Sequence, residues 1–572
     1  MTNMVQNAKE QAAALAMTAY RAAAADGSLP QAEVHTAPVE VPRDAANGDF
    51  TTTFALAASK ALRQPPRAIA QALLDHMDLE GSFFASAEIA GPGFLNFRLG
   101  RRWYEEVCAA VESEGADYGR SDSLKGQKIM VEFVSANPTG PMHMGNARGG
   151  VLGDTLASVL AACGAEVSRE FYVNDAGHQI DKFARSIYAR CMQLTYGEDS
   201  YAFPEDGYQG DDIRELAKGF LAQTEDFPGG NREEFWMADM AEYGLSVNLP
   251  KMKADLQRYK INYDTWFFES SLHNSGAVAE TAKLLTKAGW TYEKDGALWL
   301  KTAQIMRENL LKAGKKEKDI EKLDLKDDVL RRANGFYTYF AADIAYHRNK
   351  FETRGFDRVI NIWGADHHGH VARLKGALDA LGLDGSGKLD IVLMQLVKMS
   401  KRTGKAISLS DLLDEVPVDA ARWFFNAKPD TQMDFDLGLA VREDSENPIY
   451  YVEYAHARIC SLVEKLAREG LTVPAPGTAD LSLLTAEAEE VLIKQLAAWP
   501  DTIRAAAKNY DPSHVNRYLM ELAGCFHRFY TACHIREEAP ALAAARLRLA
   551  DDARIVLKNG LALIGVDAPE HM

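Results

Sequence analysis

Short apolar runs that end in polar, glycine-bearing loops alternate with stretches of helical spacing through the middle of this chain. Ile129 to Val134 is such a run, broken by Glu132. It reads as a parallel strand buried on both faces. The stretch after it carries Val151, Leu152, Thr155, Leu156, Val159 and Leu160 at helical spacing and stops at Gly164. Val167 to Val173, Val359 to Trp363 and Ile391 to Val397 repeat the strand pattern. The alternation predicts a doubly wound parallel sheet, and ligands of such sheets lie beyond the carboxyl ends of the strands.

The whole chain therefore reads as multidomain α/β, with a Rossmann-like catalytic-type domain over residues 120–410. Inside it, residues 195–330 are less regular. They hold the acidic turn Pro204-Glu205-Asp206-Gly207 and a lysine-rich stretch, Lys312 to Lys326, that predicts a helix. This part is expected to be an insertion. Residues 1–110 predict a small α+β domain. Its helical patterns are Val5 to Ala25, Thr51 to Arg63 and Ala68 to Leu79, followed by Phe83 to Leu99 around the turn Gly91-Pro92-Gly93. Residues 411–446 predict a helical connector. Residues 447–572, with amphipathic runs such as Tyr450 to Ala467 and Arg546 to Leu563, predict an all-α bundle.

At 572 residues the chain is too long for one core, and at 47% hydrophobic residues each domain can bury its own. No apolar run reaches the length of a membrane span, and the N-terminus lacks the order of a signal peptide, so a cytoplasmic protein is expected. The six cysteines are scattered without zinc-ligand or redox spacing, which predicts reduced thiols and no structural zinc. The net charge of −17 argues against an indiscriminate polyanion binder but permits local basic patches.

Two loops carry the candidate chemistry. Pro138-Thr139-Gly140-Pro141-Met142-His143-Met144-Gly145-Asn146 follows the first strand. His143 and Asn146 lie at i, i+3 at a helix start, where free N–H groups and the helix dipole suit an anion. Lys398-Met399-Ser400-Lys401-Arg402-Thr403-Gly404 follows a later strand, and mobile lysines can track a pyrophosphate leaving group. A lone histidine turn or lone basic loop would be ordinary surface. Two such loops in this order around an α/β unit point to a nucleoside triphosphate. Phe336 to His347 reads as a helix with Tyr339, Asp343 and Tyr346-His347 on one face. A planar cation would pair with Asp343 and stack on Tyr339, so a guanidinium fits better than an ammonium. An internal partner such as Arg348 is the competing reading. The run Asp366-His367-His368-Gly369-His370 could hold a metal, but its side chains are spaced too tightly to converge on one ion, so nucleotide and substrate contacts are preferred and no metal ligand is assigned.

His143-Met144-Gly145-Asn146 and Lys398 to Arg402 resemble the two signatures of class I aminoacyl-tRNA synthetases, with Asn146 where a second histidine is usual. Val131 to Pro138, the Tyr339–His347 face, Gly48-Asp49-Phe50, Ala90 to Asn96, Trp363 to His370, Asn447 to Arg458 and the terminus Pro569 to Met572 extend the resemblance, nearly end to end, to the arginyl-tRNA synthetase family. The resemblance implies ATP-dependent attachment of L-arginine to tRNA(Arg) through an arginyl-adenylate, with magnesium carried in with ATP. It implies catalysis by His143, Asn146, Lys398 and Lys401. ATP would meet Pro138, Gly140, His143, Gly145, Asn146, Gly364, Asp366, His370, Lys398, Met399, Ser400 and Lys401. Arginine would meet Glu132, Asn137, Tyr339, Asp343, Asp366 and His367. The N-terminal domain would grip the tRNA elbow through Phe94 and Asn96, and the bundle would grip the anticodon through Tyr451, Tyr454 and Met572. A monomer needing bound tRNA for the first step, without an editing domain, is expected. Another class I synthetase, such as the cysteine type, and a relative that has lost catalysis are the alternatives.

Overall fold

In the computed structural model, the described residues are 2–224, 227, 233–395, 397–398, 407–428, 431 and 433–572. Five parallel strands form the central sheet: β1 (Lys128–Glu132), β2 (Glu166–Val173), β3 (Thr265–Phe268), β4 (Arg358–Gly364) and β5 (Leu389–Met394). Their spatial order is β5-β4-β1-β2-β3, so the sheet is wound outward in both directions from the β1/β4 boundary. That boundary is the topological switch point, where a crevice opens beyond the strand ends. Ile129, Met130 and Val131 are each at most 1% exposed, as a strand covered on both faces requires.

Helix α1 (Met144–Ala162) follows β1 and packs so tightly that a Cβ on Gly153 would fall 2.1 Å from the Phe133 ring. Helix α2 (His178–Tyr196) follows β2, α3 (Tyr339–Arg348) precedes β4, and α4 (His368–Ala380) follows it. The expected helix from Phe336 begins only at Tyr339, because Thr338 caps it by accepting from the Ala341 N–H, while Tyr337 bridges back to Arg331. The stretch expected as an insertion supplies β3 to the main sheet. It also forms a small antiparallel sheet of Thr291–Lys294, Ala297–Leu300 and Asp328–Arg331. Lys312 to Lys326 is not one helix: a helix ends at Lys312, the chain turns at Gly314, and only Glu317–Ile320 is helical again.

The N-terminal unit is a four-stranded antiparallel sheet, Val39–Glu40, Phe50–Thr52, Phe94–Leu99 and Phe84–Ala90 in spatial order, packed with the helices Met4–Ala25, Phe54–Leu62 and Pro66–Asp75. Phe50–Thr52 is a strand because it pairs with Leu95–Phe97, which shortens the helix expected from Thr51. The C-terminal unit is helical, built on α5 (Pro448–Arg468), Glu487–Ala497, Trp499–Asn509, Ser513–Ala532 and Pro540–Leu563. One continuous buried cluster joins the three units, and two further clusters lie within the middle unit. Trp499 donates its indole N–H to the Tyr118 carbonyl (3.1 Å), and Lys494 pairs with Asp49 (2.5 Å). Arg422, fully buried, joins the connector to α1 through Asp154 (2.6 Å) and to the C-terminal unit through the Ile564 carbonyl (2.9 Å). All six cysteines are unpaired, five of them buried. Among the described residues no helix is long and apolar enough to cross a membrane.

Candidate active site at the carboxyl edge of the sheet

The crevice beyond β1 and β4 is built by backbone that ordinary sequences avoid. Val134 (φ +69°) and Ser135 (φ +43°) both lie in the left-handed region directly after β1. For a β-branched residue such as Val134 this is strained, and strain of that kind gathers at functional sites. The turn aims the chain so that Asn137 is exposed while Pro138 and Thr139 are buried, with the Pro138 carbonyl held by the buried Asn248 amide (2.9 Å).

His143 caps α1. Its Nδ1 accepts from the Gly145 N–H (3.2 Å), while Asn146 Oδ1 accepts from the His143 N–H (2.9 Å). This reciprocal box gives Asn146 a structural role that a histidine is not needed to fill. It also fixes the tautomer: with Nδ1 accepting, the neutral ring carries its proton on Nε2, the nitrogen left to donate outward. Desolvation lowers the His143 pKa, which favours that neutral form. A side chain at Gly145 would sit 3.1 Å from the imidazole, so the ring's position depends on glycine there.

The described residues on either side of the second loop come to the same place. His143 forms an antiparallel bridge with Ser408, and the Leu409 N–H donates to the Met142 carbonyl (2.8 Å). On the near side, Val397–Lys398 pairs with Met433–Asp434. Arg148 of α1 donates to the carbonyls of Gln395 (2.8 Å), Thr431 (2.7 Å) and Lys428. The backbone of Lys398 is therefore at the α1 side of the crevice. Met399, Ser400 and Lys401 lie outside the described residues.

A second cleft lies beyond β2 and β3. Glu269, the first residue after β3, is 3% exposed and was not anticipated. Its carboxylate sits by Tyr172, His273 and Asp343. Burial raises its pKa, hydrogen bonds from Tyr172 and His273 oppose this, and the negative charge of Asp343 adds to the rise. With its amide oriented to satisfy both ends, Asn174 donates to Glu269 Oε2 (3.1 Å) and to the Ala176 carbonyl (2.9 Å). Asp175 accepts from the Ser270 N–H (2.9 Å) and hydroxyl (2.6 Å), locking the ends of β2 and β3 together. The Tyr339 ring lies over Gly177, whose φ of +78° favours glycine and where an added Cβ would come 3.3 Å from the phenol oxygen. Glu269, Tyr339, His178, His273, Arg332 and Phe336 line an open cleft of about 560 Å³.

Asp343 does not pair with Arg348, which is engaged by Glu280 and Glu352. Its partner is His370 (3.0 Å), whose ring packs against Trp363 and Phe340. His370 therefore reaches the side chain of Asp343 from α4, the helix that follows β4. Asp366 and His367 project from the end of β4 after Gly364, 74% and 60% exposed, within 3.7 Å of each other.

Glu132 departs from expectation. It is 6% exposed, paired with the fully buried Lys350 (2.5 Å), and accepts from the Ser135 hydroxyl (3.0 Å). Its charge is already matched, so it supports the strained turn instead of presenting a free carboxylate to arginine. Lys350 also donates to Asn361 (3.2 Å) and lies 4.0 Å from the Tyr346 ring centre, inside a π-helical turn, Asn349–Thr353.

The expected RNA contacts divide. Phe94 is half-buried, but Asn96 is 2% exposed beneath the Gly48 turn, so its amide does not face a base in this conformation. Tyr454 is exposed and stacked with Tyr450, Tyr451 is half-buried against His527, and Arg458 lies over both Tyr454 (5.2 Å) and Tyr530 (4.5 Å). Met572 is 53% exposed. Such an aromatic and cationic surface suits unstacked bases.

Comparison with known proteins agrees with this architecture. Residues 108–437 match the family described as tRNA synthetases class I (R), catalytic domain. Residues 9–99 match the arginyl tRNA synthetase N terminal domain, and residues 452–572 match the DALR anticodon binding domain. The arginine–tRNA ligases of Acetivibrio thermocellus and Ruminiclostridium cellulolyticum are 46% and 47% identical, each aligned over 100% of both chains. The arginyl-tRNA synthetase structure of Thermus thermophilus superposes with a TM-score of 0.71 at 22% identity, covering 97% of this chain and 99% of that one. The chain belongs to the arginyl-tRNA synthetase family of class I enzymes, whose reaction joins arginine to its tRNA at the expense of ATP.

Proposed function

We propose that arginine lies across the carboxyl edge of the sheet, its guanidinium between Glu269 and Asp343 and its carboxylate pointing to the β1/β4 crevice. The observation that carries this is the buried Glu269 carboxylate, raised in pKa by burial and by Asp343, beside the Tyr339 ring. Two neighbouring acids meet the two edges of a guanidinium, and the ring offers it a face. An apolar pocket could not discriminate so well, since an uncharged competitor would leave the two acids without the cation they are placed to meet.

ATP occupies the crevice over the start of α1, among Pro138, Gly140, Gly145, Gly364 and Asp366. The arginine carboxylate oxygen attacks the α-phosphorus in line, forming the acyl-phosphate bond as the bond to pyrophosphate breaks. His143 donates through Nε2–H to the phosphate oxygens as they gain charge, and Lys398 and Lys401 accompany the leaving pyrophosphate. Asn137 holds the amino-acid end. A ribose hydroxyl of the tRNA terminus then attacks the activated carboxyl carbon and AMP departs. Magnesium enters with ATP. The triphosphate supplies its principal ligands. The enzyme works as a monomer, Tyr451 and Tyr454 meet the anticodon, and the first step proceeds on the tRNA-bound enzyme.

ATP–pyrophosphate exchange with each of the proteinogenic amino acids, with and without tRNA, tests the reading. Exchange with arginine alone supports it. Exchange with another amino acid would move the specificity, and no exchange under any condition would mark a relative that binds without catalysis.

A further inference from the structure

Phe336 is the most exposed large apolar side chain among the described residues, at 72%. Single exposed apolar residues need no explanation by themselves. This one stands on the rim of the cleft that Glu269 and Tyr339 line, on a backbone turn closed by its own hydrogen bonds. Residues 331–337 close a tight turn: Arg331 bridges Tyr337, the Arg332 N–H donates to the Phe336 carbonyl (2.9 Å), and the Gly335 N–H donates to the Arg332 carbonyl (2.9 Å). The Thr338 N–H anchors the base of the turn on Leu330 (2.9 Å). A fixed, open aromatic face loses little entropy on accepting a flat partner.

Arg332 shares the rim. It is exposed, and among the described residues its guanidinium has no ion pair or side-chain hydrogen bond. The turn thus offers a ring and an unpaired cation side by side, above a cleft whose floor is acidic. A base and its phosphate are the matching chemistry. ATP is a poor fit for this place, because its crevice lies beyond β1 and β4, whereas the turn overhangs the ends of β2 and β3. The second substrate has to bring a single-stranded 3′ end to the arginine carboxyl, and the mouth of this cleft opens onto the arginine side of the sheet.

We infer that the Arg332–Phe336 turn is the docking platform for the 3′-terminal nucleotide of tRNA, with Phe336 stacking on the terminal base and Arg332 meeting the adjoining phosphate. The inference rests on the assignment of this cleft to arginine.

The experiment compares two tRNA(Arg) transcripts, one complete and one lacking the terminal adenosine, binding to the full chain at saturating arginine. Base stacking of this kind is worth roughly a ten-fold change in affinity. Phe336→Ala should weaken the complete transcript about ten-fold and leave the shortened one unchanged, and Phe336→Trp should restore binding. Arg332→Ala should weaken binding and reduce the steepness of its salt dependence by about one. Equal loss with both transcripts, or no loss with either, overturns the inference. So does a Phe336→Ala loss that falls on ATP, which would place the adenine of ATP on the ring. Arginine affinity, measured separately by equilibrium dialysis with Glu269→Gln, isolates the underlying assignment: unchanged affinity there means that the cleft does not hold arginine, whatever the tRNA result.

Discussion

Replacing Lys350 by methionine removes one partner of an ion pair that water does not reach. Lys350 is fully buried and Glu132 is 6% exposed, and their contact is 2.5 Å. Desolvation pulls the Lys350 pKa down and the Glu132 charge opposes that pull, so each charge depends on the other. Lys350→Met leaves the Glu132 carboxylate buried without its counter-ion, at a cost of about 3–5 kcal/mol. Glu132→Gln alone leaves an uncompensated ammonium and costs a similar amount, about 3–5 kcal/mol. The double variant Lys350→Met/Glu132→Gln removes both charges and should recover at least about 2 kcal/mol relative to the sum of the singles. Thermal unfolding followed by near-UV circular dichroism reads this out. The single variants should lose roughly 2–4 °C in Tm. The consequence reaches the chemistry, because Glu132 also holds Ser135 in the strained turn that leads to His143. Single variants that stay folded should therefore lose kcat before their KM for arginine rises. Single variants within about 1 kcal/mol of the parent, or penalties that simply add, would refute the reasoning.

Glu269→Gln should raise the KM for arginine at least ten-fold, about 1.4 kcal/mol, while ATP affinity holds. Because burial raises the Glu269 pKa in the free protein and a guanidinium needs the anion, arginine binding should tighten as pH rises through that raised value; isothermal titration across pH should find the dependence lost in Glu269→Gln. Gly145→Ala places a methyl group 3.1 Å from the His143 ring and should lower kcat by about ten- to a hundred-fold with little change in arginine KM, read from single-turnover adenylate formation. Glu453 is pushed up to about 7 by burial and by Asp419 and Asp567, so its contribution to stability should fall by about 1 kcal/mol as pH rises from 6 to 8; Glu453→Gln should flatten that slope in denaturation series.

Most of the parallel strands and their loops were legible because short apolar stretches, each broken by no more than a few polar residues, end at polar turns. β3 was not: only Thr265 to Phe268 is extended, and the run sits between irregular segments. Glu269 was missed with it, although an acid closing an aromatic run was the available signal. Asp343 was readable from helical spacing, but its partner was not, since His370 reaches it from another helix. The same limit applied to Glu132, whose counter-ion lies 218 residues away. Asn96 was misplaced because the cover comes from a distant turn at Gly48, which side-chain periodicity does not record.

Arg148 gathers three carbonyls, one upstream of the lysine segment and two downstream, onto the helix that begins at His143. Entry and exit of that segment are thereby riveted to a common beam. Substituting Arg148 should therefore release both flanks at once from the helix whose first turn carries the imidazole.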